Sequence, residues 1–249
     1  MSKTSTFDDI FASTPGPSSL INADLRLNFV KKVYSILSAQ LALTFGLVFL
    51  SIYSNKFHQF QNNNPFLMIF FSFVTIVSSL VLICAKSLMR KVPHNYIFLG
   101  VFTFSMGYVV SSMTGFIEPR IVLMAIFLTF GITLALTLYS MTTKRDITYF
   151  HSIIFMFASI LLFLSILRIF VSFTLLDMTY TGLGAIMGGI YIVYDTKMII
   201  GGGRGEIGID DYIFGAILIY MDVVNLFIKI LKILQKLNEE EKNKKKNKN

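Results

Sequence analysis

Asp195 and Asp222 stand in stretches that are otherwise apolar enough to cross a membrane. Asp195 closes MTYTGLGAIMGGIYIVYD (178–195), and Asp222 lies within YIFGAILIYMDVVNLFI (212–228). A carboxylate at bilayer depth costs roughly 2.5–3.5 kcal/mol on insertion scales, so it is kept where it finds a partner or an aqueous cavity. Two of them on consecutive segments point to a pair that handles a proton or a cation. Two carboxylates a few ångströms apart in a low dielectric cannot both ionise cheaply, and they titrate as a unit. With a proton shared, such a pair joins its two helices. With both groups ionised it repels itself and favours a conformational change or a divalent cation. Ca²⁺ takes oxygen ligands, and Asp195 and Asp222 with Asn225 and backbone carbonyls would make a weak, partial metal shell. The competing reading is a pair of helix-end residues that snorkel to the interface. It suits Asp195 better than Asp222, which has about ten residues of its own segment ahead of it.

The segments that must position the pair follow from composition. Hydrophobic residues make up 54% of the 249-residue chain and charged residues 14%; the mean hydropathy is +0.68. That is too apolar for an ordinary soluble domain. Long apolar runs, charge-free except for Asp222 in the last, occupy 33–53, 65–85, 96–114, 121–141, 147–167, 178–194 and 212–228. At about 1.5 Å per residue most of them reach across a ~30 Å hydrocarbon layer. Backbone groups in lipid must bond within their own segment, so the runs are helices. The expected fold is an all-α membrane protein with seven transmembrane helices. Its parts are a short disordered cytosolic leader (1–27), a seven-helix domain (28–237) and a basic Lys/Asn-rich tail (238–249). The first 24 residues have no apolar core of signal-peptide length and carry Pro15 and Pro17.

Lysines and arginines in the short flanks set the orientation. With a cytosolic N-terminus the inner side carries Arg26, Lys31, Lys32, Lys86, Arg90, Lys91, Lys144, Arg145, Lys197 and Arg204. The outer side carries Lys56, Arg120 and Arg168 before the tail. The tail conflicts with this, because residues 229–249 hold eight lysines against three glutamates. Either the rule fails there, or the seventh segment enters and returns without crossing. A Lys/Asn run beside a membrane helix meets anionic lipid headgroups or solvent rather than nucleic acid.

Local patterns refine the site. Gly184 and Gly188 are four apart, as are Ala185 and Gly189, a spacing that lets another helix approach closely. Helical steps continue that row through Tyr191 to Asp195, so the carboxylate points into the bundle, with Tyr191 beside it. Asp222, Asn225, Lys229, Lys232 and Lys236 recur at three and four residues on one face, a stripe able to line a wet cavity. Lys232 and Lys236 are expected to snorkel outward, and Lys229 is two turns from Asp222, too far to be its counter-ion. The loop GGGRGEIGIDD (201–211) lacks the phosphate-loop order and reads as a hairpin, with Asp210 or Asp211 capping the next helix. Glu118 and Arg120 are expected to offset each other. Cys84 is the only cysteine, expected in the core, and His58, His94 and His151 are too scattered for a zinc site.

IYIVYDTKMIIGGG (190–203) followed by IDDYIFGAILIYMDVVNLFIKIL (209–231) resembles the closing signature of the Bax inhibitor-1 family, the transmembrane Bax inhibitor motif proteins. LRLNFVKKVYSILSAQLALT (25–44), RKVPHNYIFLGVFTFSMGYVVSS (90–112) and ALTLYSMTTKRDITYF (135–150) extend the resemblance and narrow it to the lifeguard branch. It implies a bundle whose last helix is central, in the endoplasmic reticulum, Golgi or another endomembrane. It also implies calcium leak from intracellular stores and suppression of apoptosis, with calcium as the permeant ion and no bound cofactor. The family's pH-sensing carboxylate pair falls on Asp195 and Asp222, and its basic latch on Arg90 or Lys91. Met89 interrupts the basic run that lifeguard proteins carry there. The long Pro/Gly/Tyr-rich extension of animal lifeguard proteins is missing, and the Lys/Asn tail is no part of the pattern. Two alternatives stand beside the leak. One is a non-conducting regulator acting through membrane-protein partners; the other is a proton-coupled transporter. An intramembrane aspartyl protease is set aside, because Ile192-Val193-Tyr194 before Asp195 and Ile219-Tyr220-Met221 before Asp222 lack the Gly-x-Gly-Asp order.

Overall fold

The computed structural model describes residues 17–84, 90–143, 147–170, 174–201 and 207–247. Among these residues every regular element is helical: α1 (Pro17–Tyr53), α2 (Asn55–Asn63), α3 (Pro65–Cys84), α4 (His94–Thr114), α5 (Pro119–Thr142), α6 (Ile147–Phe170), α7 (Thr174–Ile200) and α8 (Tyr212–Lys246). Six of them are long and apolar enough to span a membrane by themselves. The pair α2 and α3, bent by 82° at its break, adds a seventh where the two count as one span.

The expected polar turn at 56–65 is instead the short helix α2. Ser54 caps it by accepting from the Phe57 N–H at 3.4 Å. Gln61 then turns inward, accepting from Ser51 at 2.7 Å and donating to Ser111 at 2.9 Å. Those bonds hold a polar segment against the bundle, which is why polar composition did not make it a loop here.

Helix α8 is the axis of the fold. It packs on α7, α1, α5 and α4, and its buried residues, from Ile213 to Leu231, cover all of its circumference except a strip through Leu218, Asp222, Asn225 and Lys229. Helix α6, by contrast, packs chiefly on α7 and turns Phe155, Phe163 and Ile169 outward. Since lipid is as apolar as these side chains, helix association rests on close packing and buried hydrogen bonds. Two such bonds tie α1 to the interior: Gln40 donates to the Thr103 hydroxyl at 3.0 Å, and the Thr44 and Tyr220 hydroxyls meet at 2.7 Å.

The tail conflict is resolved by α8 itself, which runs unbroken for 35 residues, about 52 Å at helical rise. Near its start, the adjoining Asp211 pairs with Arg90, ahead of α4; near its end Lys242 and Asn238 reach Glu118, beyond α4. The helix therefore crosses completely, and a re-entrant seventh segment is excluded. Helix extends past the expected boundaries at both ends. It begins at Pro17 rather than after residue 27, with the rest of the expected leader lying outside the described residues, and it continues through the tail to Lys246. The Glu241–Lys245 pair, four residues apart, supports that extension.

The opposite, N-terminal face is fastened by Arg26. Its guanidinium donates to the carbonyls of Met198 (2.7 Å) and Ile200 (3.1 Å) in the last turn of α7 and of Ile207 (2.7 Å) beyond it, where the Ile207 N–H also donates to the Met198 carbonyl at 3.2 Å. Gly201 has φ +86°, and a Cβ there would lie 2.7 Å from Arg26 Nε, so conformation and space both call for glycine.

Arg26→Ala is expected to lower unfolding stability in detergent by about 2–3 kcal/mol, as charge-assisted bonds are lost. An unchanged denaturation midpoint would contradict the clamp. At the other face, the hydrogen bond and charge of Lys242 hold the Glu118 carboxyl below its ordinary value of 4.5. The contact is present above that value and is lost only as pH falls through the lowered one. Spin labels at positions 116 and 243, in a Cys84→Ser background, should keep their separation down to about pH 4.5 and spread below it. Lys242→Gln should spread them at neutral pH; equal separations with and without Lys242 would show that the contact does not hold the tail.

Candidate functional site

Antiparallel packing of α7 on α8 brings the two aspartates together. Asp195 is 7% exposed, and its carboxyl group faces that of Asp222 closely enough for the two to share a hydrogen bond. Sharing one would require a proton on one of the two groups. The Asp222 side chain is half-buried, but its Oδ2 is sealed from solvent and has no hydrogen-bond partner among the described residues. Tyr191, one turn from Asp195, lies within the field of both carboxyls. On the far side of Asp195, the Tyr194 hydroxyl meets His151 Nε2 at 3.1 Å, and Ser140 donates to the Val193 carbonyl at 2.9 Å. These contacts join α6 and α5 to the stretch of α7 that carries the acid.

The seam between α7 and α8 reads as a ladder. Toward the tail face from the acid pair, Gly188 receives Leu226, whose Cβ would lie 3.6 Å from an added glycine Cβ. Next, Gly184 receives the Lys229 stem, with Cε at 3.0 Å from such a Cβ. Lys229 Nζ sits 4.3 Å from the centre of the Tyr180 ring. The last rung is Asp177, paired with both Lys236 and Arg168. A polar end with two acids and a polar end rich in cations are thus separated by the Gly188–Leu226 layer. Gly189 faces the other way, toward Leu136 of α5, 3.1 Å from an added Cβ.

Several residues expected at the site lie elsewhere. Arg90 forms a two-pronged bridge to Asp211, with Nε–Oδ1 2.8 Å and NH2–Oδ2 2.9 Å, on the N-terminal face and not to the acid pair. Lys91 is exposed. Asp211 occupies the N-cap position of α8, but its carboxylate serves Arg90 and makes no capping bond. Asn225 is exposed rather than lining a cavity with Asp222. The face of α8 that meets α7 is centred on Leu226 and Lys229, and α6, packed on α7, leaves the flank with Asn225 open. Glu118 reaches Lys242 across the tail face and not chiefly its neighbour Arg120. Cys84 is exposed instead of buried in the core. Among the described residues no three His, Cys, Asp or Glu side chains gather as a metal site, so the acids offer a cation two carboxylates and no third. Sequence reasoning did not find the Arg168–Asp177–Tyr180–Lys229 cluster. Its signal was present in the lysine stripe of α8, but its partners come from two other helices.

A family model described as inhibitor of apoptosis-promoting Bax1 matches residues 26–239. The chain is 29% identical over 223 residues to protein lifeguard 3 of Homo sapiens, covering 88% of this chain and 72% of that protein. It is 33% identical over 216 residues to protein lifeguard 4 of Mus musculus, covering 86% of this chain and 87% of that one.

The ladder gives a graded test. Gly188→Ala adds a methyl at ordinary contact distance from Leu226 and should leave folding unchanged, within about 0.5 kcal/mol. Gly188→Leu must push α7 from α8 and should cost roughly 1–3 kcal/mol, as overpacking does. Equal unfolding midpoints for both variants in detergent would show that the seam is not closely packed.

Proposed function

Because the chain belongs to the Bax inhibitor-1 family, we propose that it is a pH-sensitive calcium leak of an intracellular membrane, gated by Asp195 and Asp222 and linked to suppression of apoptosis. The observation that carries this reading is the meeting of the buried Asp195 carboxyl group with that of Asp222 across the α7–α8 seam. A shared proton closes the seam at its N-terminal end. Loss of that proton leaves two negative charges in a low dielectric, which either part the helices or draw in a cation. Two carboxylates hold Ca²⁺ weakly, as passage requires, since a permeant ion must leave as readily as it enters. The Leu226 layer on Gly188 is the apolar constriction that opening has to relieve. The remaining parts of the proposal are the endoplasmic reticulum or Golgi as location, a cytosolic N-terminus, contact of the tail lysines with anionic lipid and the absence of enzymatic activity.

Calcium flux from proteoliposomes, followed between about pH 5.5 and 8, tests the gate. Flux should rise with pH in the wild type, as the shared proton is lost. Asp195→Asn and Asp222→Asn each leave one ionisable group and should flatten that response. A pH response retained in both variants would remove the pair as the gate. No flux at any pH from folded protein would favour a regulator that acts through partners.

A further inference from the structure

We propose that the tail-face end of the α6–α7–α8 junction binds the phosphate group of an anionic lipid headgroup. This site is distinct from the carboxylate pair and does not depend on its proposed role. A pocket of about 230 Å³, several times the ~30 Å³ share of one liquid water, opens there among Arg168, Asp177, Tyr180, Lys229, Lys232 and Lys236. With Glu239 at its rim, four cations face two carboxylates. Asp177 is committed to Arg168 and Lys236. Among the described residues neither Lys229 nor Lys232 forms an ion pair. Lys229 instead lies over the Tyr180 ring, held by the room that Gly184 leaves for its stem, and Lys232 is exposed. The pocket therefore presents ammonium donors, aimed and unneutralised, that a phosphate can accept from.

Depth identifies the source of the phosphate. Lys229 and Lys236 are 17 and 24 residues beyond Tyr212, about 26 and 36 Å along α8. That span brackets the far boundary of a ~30 Å hydrocarbon layer. Helix α6 ends at Phe170 and α7 begins at Thr174, and this end of α6 exposes Ile166 and Ile169 as a surface for acyl chains. A headgroup reaches such a pocket from the membrane plane, with its tails remaining in the bilayer.

The test uses the full chain in detergent, with native mass spectrometry reading the binding of dioctanoyl phosphatidic acid, dioctanoyl phosphatidylcholine and inorganic phosphate. Phosphatidic acid should bind at least about tenfold more tightly than phosphatidylcholine. Lys229→Gln/Lys232→Gln should weaken it about twentyfold, and Lys232→Gln alone, at an exposed position that folding tolerates, about fivefold. Lys244→Gln/Lys245→Gln/Lys246→Gln should bind as the wild type does, because the pocket and not the basic tail carries the affinity. Equal affinity for the two lipids, or an unaltered affinity in Lys232→Gln, would overturn the site. Inorganic phosphate binding as tightly as phosphatidic acid would overturn the lipid as its ligand.

Discussion

An acidic pair inside a membrane bundle must be supplied with a partner, a proton or a cation, since bare charge in a low dielectric is costly. That requirement explains the order of the helices around the site. Asp222 is on α8, the helix against which four neighbours pack. Asp195 is on the helix whose glycines let α8 approach closely enough for the two carboxyl groups to meet. The glycines and the acids belong to one device: without the close seam, each aspartate would need its own partner from elsewhere.

The seam divides along its length into unlike ends. Acids occupy the end near the N-terminal face, and the Arg168, Lys229, Lys232 and Lys236 cluster occupies the other. Between them the Gly188–Leu226 layer is apolar. Charges of opposite sign at the two ends do not neutralise one another across that layer, because a screened or snorkelled lysine has cheaper company nearby in Asp177 and Tyr180.

The two faces are held by different means. Arg26, by giving three bonds to carbonyls around the α7–α8 turn, fixes the register at which α8 enters the bundle. At the tail face the fastening is ionic, through Glu118 with Lys242 and Asp177 with Lys236 and Arg168. Complete crossing by α8 puts the tail lysines on the face opposite Arg26 and Arg90. The bias of basic residues between the faces, clear over the first six segments, is offset by the tail.

The sequence by itself determined the class of the fold and the two residues at its centre. Long charge-free runs leave helices as the only way to satisfy backbone groups in lipid, and an aspartate within such a run is conspicuous because hydration cannot follow it. The small-residue spacing of the sixth segment likewise marked its packing face, and Gly184 and Gly188 do meet α8. Tertiary structure alone decided where the long charged side chains go. Arg90 takes Asp211, Glu118 takes Lys242 and Arg26 takes backbone carbonyls. An arginine or lysine reaches several ångströms in any direction, so which partner it finds depends on helices distant in the chain. Asn225 is exposed for a related reason: periodicity places it on the face of Asp222, but only the packing of α6 and α7 determines how much of that face is covered.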